Sequence, residues 1–284
     1  MLEVIWNGSG TDAHPVPLLF VHGGYHGAWC WDEHFLDYFA DRGFQAVAVS
    51  LRGHGQSTLS GSIRSCSIAD YVDDVHSVAD VMDSEPVVVG HSMGGFVVQK
   101  YLEQYRAPAA VLMASIPPQG TLRVVLRMVR RHPWTFMRCN IGGDSVDFVR
   151  IPGIARELLF SAHTPDAVVE SCAARLQPES SRAGLDQVRR LPKASRVTAP
   201  LLVLGARDDG FVTNDEVTAT GRTYGTEAEF FPGMGHNMML EPGWRAVAER
   251  VDGWLTERGL EERPASAIAR YDHVVPEGAE EKPL

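Results

Sequence analysis

This 284-residue chain has few cysteines, few basic groups and no long apolar run. Its four cysteines, Cys30, Cys66, Cys139 and Cys172, are scattered with no CxxC pair. That excludes a zinc ribbon and a dithiol redox motif, and the thiols are expected to be reduced and buried, as in a cytoplasmic protein. The N-terminal stretch lacks a basic segment leading into an apolar one, so no signal peptide is expected. No run reaches the roughly 18 apolar residues of a membrane span. Lys and Arg number 26 against 36 Asp and Glu, a net charge of −10. That balance would repel nucleic acid phosphates. No metal or cofactor motif is apparent, and the oligomeric state is expected to be monomer or homodimer.

Several short apolar runs are present: residues 17–23, 45–51, 86–92, 109–115, 200–206 and 228–233. They show no polar alternation, as strands buried on both faces of a parallel sheet require. Helical patterns lie between them. Residues 67–83 place Ile68, Tyr71, Val72, Val75 and Met82 on one stripe, with Ser67 and Asp70 at the start as a capping pair. Residues 244–259 form another helix, with Gly259 as its C′ residue. Alternation of this kind predicts an α/β fold with a mostly parallel sheet. From Ile116 to Ala199 no strand signal occurs. Seven prolines break that stretch into helices, one with Arg123, Arg127, Arg130 and Arg131 on a single face, another opening at Thr164 with a threonine cap. The arginine face is expected to be solvated. The predicted organisation is a core of 1–115 and 200–258, a helical lid of 116–199, and a polar, disordered tail of 259–284.

One segment carries chemistry. In "VVVGHSMGGF", residues 87–96, three valines run into Gly90-His91-Ser92-Met93-Gly94 and then into a helical pattern. A G-x-S-x-G turn between strand and helix lifts a serine above the sheet, and its neighbours two residues away need to be small. The helix N-terminus favours developing negative charge. Ser92 is therefore the candidate nucleophile. It needs a base and a group to orient that base. "LLVLGARDDGFV" offers Asp208 and Asp209 at one strand end, and "FPGMGHNMMLEPG" offers His236 at another. An oxyanion hole needs two convergent N–H donors. Met93 follows the serine, and Gly24 of the His22-Gly23-Gly24 loop is the second choice.

With "FVHGGYHGAWCW" (20–31), "LRGHGQS" (51–57) and "MGHNMMLEPGW" (234–244), these motifs resemble the α/β-hydrolase superfamily. The likeness is to the lidded branch of small esterases, C–C bond hydrolases and cofactor-free haloperoxidases, over about residues 15–258. It implies a sheet of the eight-stranded type flanked by helices. It also implies that the triad acid stands three residues after the glycine of a GxxD turn, which selects Asp208 over Asp209. The "RGHGQS" loop is implied to be structural, leaving Arg52, His54 and Ser57 without chemistry. A serine nucleophile disfavours the aspartyl-ester chemistry of dehalogenases and epoxide hydrolases in that family, and residues 117–193 hold no lid tyrosine. Asn237 stands where hydroxynitrile lyases keep a lysine.

The expected function is cofactor-free hydrolysis of a small to medium apolar ester, thioester or lactone through an acyl-enzyme. Tyr25, Trp29, Phe136, Phe148, Phe160, Met238 and Met239 are the expected pocket. The alternatives are C–C bond hydrolysis or lactone-forming acyl transfer in the same pocket, and, outside enzymes, a slow-turnover small-molecule receptor.

Overall fold

A computed structural model describes residues 1–142 and 144–260. All of the expected tail beyond Leu260 lies outside the described residues. Among these residues seven strands, rather than the expected eight, form one sheet: β1 (Glu3–Asn7), β2 (Leu18–Val21), β3 (Ala46–Ser50), β4 (Val87–His91), β5 (Ala110–Met113), β6 (Leu201–Ala206) and β7 (Ala228–Phe231). Their order is β1-β3-β2-β4-β5-β6-β7. Only β1 pairs antiparallel, against β3; every other pairing is parallel. The six apolar runs are the six parallel strands. β1 escaped the sequence pattern because it is a half-buried edge strand in which no continuous apolar run is required.

The five inner strands are buried at every position. Alternate residues face opposite clusters. Phe20, Ala48, Val89 and Met113 join one core, and Val21, Val49, Val88 and Leu112 the other. Full burial of each such Val or Leu contributes about 1.5–3 kcal/mol. The sheet is flanked by α1 (Trp29–Asp32), α2 (Phe35–Ala40), α3 (Ile68–Ala79), α4 (Met93–Tyr101), α11 (Asn214–Thr223) and α12 (Trp244–Glu257).

α3 starts with the capping box read from the sequence: the Asp70 N–H donates to Ser67 Oγ at 3.2 Å, and the Ser67 N–H donates to Asp70 at 2.7 Å. α12 ends at Gly259 with φ +64°. The Gly259 and Leu260 N–H groups return to the Thr256 and Leu255 carbonyls, the two bonds of a Schellman ending.

Between β5 and β6 run α5 (Leu122–Arg131), α6 (Pro133–Gly142), α7 (Ser145–Val149), α8 (Pro152–Leu159), α9 (Asp166–Arg175) and α10 (Ser181–Arg189). No strand interrupts them among the described residues. Their apolar faces are not a separate core: Val146, Phe148, Leu158 and Cys172 belong to the cluster that contains Phe20 and Val89. The threonine cap expected for α9 is absent. Pro165 occupies the cap position, and Thr164 Oγ1 instead donates to Glu241 at 2.6 Å. Glu241 is buried and accepts three further bonds, from the Ser161 N–H, Ser161 Oγ and the Gly235 N–H. One carboxylate thus ties the insert to the loop that carries His236. All four cysteines are free and buried. Among the described residues no helix is long and apolar enough to cross a membrane.

Candidate active site

β4 delivers Ser92 to the turn before α4 with φ +53° and ψ −119°, a region that L residues rarely adopt. Three backbone bonds hold it there. The Ser92 N–H donates to the Met113 carbonyl, and the Ser92 carbonyl accepts from Phe96 and Ile116. The flanking glycines are required by close approach. A Cβ on Gly90 would come within 2.6 Å of the Gly94 carbonyl oxygen, and one on Gly94 would collide with the Val21 and His22 carbonyls.

The loop after β7 brings His236 over the serine. Its Nε2 lies 2.8 Å from Ser92 Oγ, and its Nδ1 lies 2.8 Å from Asp209 Oδ2. Asp209, not the expected Asp208, is the partner. The Asp209 side chain is 1% exposed, and its other oxygen accepts the Phe211 and Val212 N–H groups at 2.7 and 2.8 Å. Asp208 is exposed, and its own N–H donates to the Met234 carbonyl. The glycine-based count fails because Gly205 lies inside β6 rather than at its turn. A Cβ there would press on Phe230 at 2.9 Å, so that glycine serves strand-to-strand packing. The Asp209-Gly210 pair that begins the following turn was the better signal.

The glycine loop after β2 is held by two histidines. The Gly23 carbonyl accepts from the His26 N–H and lies 2.8 Å from His22 Nδ1. His26 Nδ1 lies 2.8 Å from the Gly24 carbonyl. Because the Gly23 carbonyl and the Gly24 N–H share one peptide plane and point oppositely, fixing the first aims the second. The Gly24 N–H has no acceptor among the described residues, and Met93 at the first position of α4 has an N–H without an intrahelical partner. Both residues line the cavity that contains Ser92.

Burial, with the neighbouring His54 charge, pushes the His22 pKa down to about 3, and burial pushes His26 down to about 4. Both stay neutral at pH 7. His91 is held neutral in the same way, by burial and the nearby His236. It acts through the backbone, its Nε2 lying 2.9 Å from the His236 carbonyl.

The cavity measures about 290 Å³ and is walled mainly by Val124, Met128, Leu158, Leu159 and Leu176 of the insert. Of the expected pocket, Tyr25, Phe136 and Phe148 line it. Trp29, Phe160, Met238 and Met239 do not. Trp29 stacks on His26 and carries the Arg175 guanidinium over its ring; Phe160, Met238 and Met239 are ordinary core.

Among the residues that line the cavity the one carboxylate is Glu179, in the segment between α9 and α10. It accepts from the Tyr71 hydroxyl at 2.7 Å and from the Ser180 N–H at 2.7 Å. His54 Nε2 stands 3.2 Å from its other oxygen, as an ion pair rather than a well-directed hydrogen bond. Arg52 and Ser57 of the same loop are structural, as expected: Arg52 grips Asp74, and Ser57 caps the β3 end. His54 instead sits behind the cavity wall. Nothing local marks this pair, whose members are far apart in the chain.

Burial alone would raise the Glu179 pKa, but His54 and the Ser180 and Tyr71 donors hold it down to about 2. His54 is raised, because Glu179 outweighs its own desolvation. The signs give a window. A depressed carboxylate stabilises above its unfolded pKa of about 4.3 and loses that stability as pH falls; a raised imidazole stabilises below its unfolded pKa of about 6.5 and loses it as pH rises. The stability difference between the wild type and Glu179→Gln is therefore expected to peak between about pH 4.3 and about pH 6.5. Urea unfolding across pH checks this, and a difference independent of pH would mean that the pair is uncharged.

Comparison with known proteins agrees with this architecture. The profile of the Alpha/beta hydrolase family matches residues 18–250. Pheophorbidase of Raphanus sativus is 36% identical over 199 residues, 66% of this chain and 75% of that protein. The bifunctional esterase/perhydrolase DCH of Acinetobacter calcoaceticus is 36% identical over 107 residues, which is 36% of this chain and only 38% of that protein. The structure of a thermophilic esterase from Thermogutta terrifontis superposes with a TM-score of 0.71 at 20% identity, covering 91% of this chain and 94% of that one. With the strand order, the serine turn and the match over most of its length, the chain belongs to the alpha/beta hydrolase family.

Proposed function

We propose that the chain hydrolyses a carboxylic ester, or the related thioester or lactone, of a small to medium apolar acid. The observation that carries this is the unbroken relay of two 2.8 Å contacts, Asp209 to His236 to Ser92, opening on an apolar cavity of about 290 Å³. His236 takes the Ser92 proton as Oγ attacks the carbonyl carbon. Asp209 fixes the Nδ1–H tautomer and stabilises the imidazolium. The Gly24 and Met93 amides receive the oxyanion. His236 returns its proton to the leaving alcohol, and an acyl-Ser92 remains. A water deprotonated by His236 then releases the acid. The esterase activities of the relatives are consistent with this chemistry, and the apolar wall favours an apolar acyl chain.

The test is a panel of p-nitrophenyl acetate, butyrate, octanoate and laurate. Turnover is expected to be highest for butyrate or octanoate and to fall for laurate, whose chain outgrows a cavity at the small end of ligand sites. Absence of Ser92-dependent turnover across the panel would overturn ester hydrolysis and direct attention to C–C bond cleavage or acyl transfer at the same serine.

A further inference from the structure

The insert differs from the rest of the chain in charge. Residues 116–199 carry 13 Lys and Arg against 7 Asp and Glu, and the remainder carries 13 against 29. Among the described residues the insert also carries most of the large apolar side chains left in solvent. On α5, Leu122, Val125 and Leu126 are 53%, 39% and 53% exposed, and on α6 Trp134 and Met137 are 82% and 47% exposed. Leu122, Val125 and Leu126 fall at i, i+3 and i+4, one stripe of a helix. Val124 and Met128 are buried on the other side. The helix is therefore apolar on two faces, and only one of them is covered.

Basic residues border the uncovered stripe. The four arginines of α5 were expected to be simply solvated, and the structure divides them. Arg127 is bound to Glu216 and to the Phe211 carbonyl, and Arg131 is paired with Glu157. Arg123, Arg130 and, on α6, Arg138 are exposed and make no ion pair among the described residues. Arg123 and Arg130 are seven residues apart, two turns, and so share the stripe beside the leucines. An acidic protein partner would satisfy the arginines but has no evident use for an 82% exposed Trp134. Only Val125 of this set also lines the cavity, so the rest stand outward and do not form a groove for a peptide. Exposed Trp and Leu beside unpaired arginines match an interface with apolar interior and anionic surface.

The cavity opens on this face. Val125 of α5 and Ser181 and Gly184 of α10 are each exposed and each line it. We propose that the α5–α6 face is a docking surface for an anionic lipid–water interface, from which an amphiphilic ester enters the cavity between α5 and α10. The second half rests on the hydrolase reading above; the docking half does not. The chain's net charge of −10 does not oppose it. At physiological salt the screening length is about 8 Å, so the near face decides. Each arginine reaching a strongly anionic surface adds about fivefold to partitioning.

The test is flotation of the full chain with vesicles of equal phosphatidylglycerol and phosphatidylcholine, beside vesicles of phosphatidylcholine alone. Binding is expected on the anionic vesicles, at least about tenfold weaker on the neutral ones, and weakened on raising salt from about 0.05 M to about 0.5 M. The double variants Leu126→Ser/Trp134→Ser and Arg123→Glu/Arg130→Glu should each reduce partitioning by about tenfold or more, with unchanged melting and unchanged turnover of dissolved p-nitrophenyl butyrate. Ser92→Ala should float like the wild type. Protein that stays off anionic vesicles, because a second copy or an acidic protein covers this face, would overturn the proposal; so would binding that both double variants retain. Vesicle binding lost in those variants, in a protein that cleaves no ester, would sustain the surface and sink the hydrolase reading.

Discussion

Asp209→Asn is expected to lower kcat/KM on p-nitrophenyl butyrate by about 10⁴-fold, whereas Asp208→Asn leaves it within about twofold. The two residues are adjacent, carry the same charge and sit at the same strand end, so the comparison isolates geometry. Asp209 Oδ2 faces His236 Nδ1, and Oδ1 receives two backbone N–H groups. An asparagine must place its amide nitrogen against one of those donors. Either it turns an N–H toward His236, which favours the wrong tautomer, or it confronts the Phe211 and Val212 amides. Asp208 has no such setting: its side chain is in solvent and only its backbone is engaged. Melting curves of both variants separate catalysis from unfolding. Equal losses in both would mean that the carboxylate pair acts as a unit; a loss confined to Asp208→Asn would overturn the assigned relay.

The same aspartate pair shows where the sequence stops being informative. The serine turn was legible because its constraint is local: Gly90, Ser92 and Gly94 must satisfy one another's backbone within five residues. The five inner strands were legible because burial on both faces demands unbroken apolar runs. The acid was not, because its identity depends on whether Gly205 ends a strand or packs within one, and Phe230 of the neighbouring strand decides that. The cavity wall was read partly wrong for a similar reason. The aromatic residues Trp29 and Phe160 are spent on packing, while Leu158, Leu159 and Leu176 line the cavity with the serine because of how the insert folds over it. His54 and Glu179 meet across more than 120 residues, and no spacing rule reaches that far. Arg127 is the same case: it looked like one member of a solvated row, but it holds the loop that supplies the Asp209 donors.

Ser92→Ala and Ser92→Gly are both expected to abolish turnover, with losses of about 10⁴–10⁶ in kcat, yet to differ in stability in a direction opposite to the usual rule. Elsewhere a glycine costs about 0.5–1 kcal/mol relative to alanine, through the entropy of the unfolded chain. At φ +53° and ψ −119° the alanine retains the steric strain of the serine, of order 1–3 kcal/mol, and glycine relieves it. Both variants lose the same Oγ contact to His236, so that term cancels between them. Strain should outweigh entropy by about 1 kcal/mol, placing the Ser92→Gly melting point about 2–4 °C above that of Ser92→Ala. Calorimetry on the two proteins decides the sign. A glycine variant that melts lower would mean that the turn is relaxed, and the three backbone bonds that pin residue 92 would then hold a conformation costing nothing. A higher melting point would show that the fold maintains Ser92 against its own preference, with Oγ raised toward His236 before any substrate arrives.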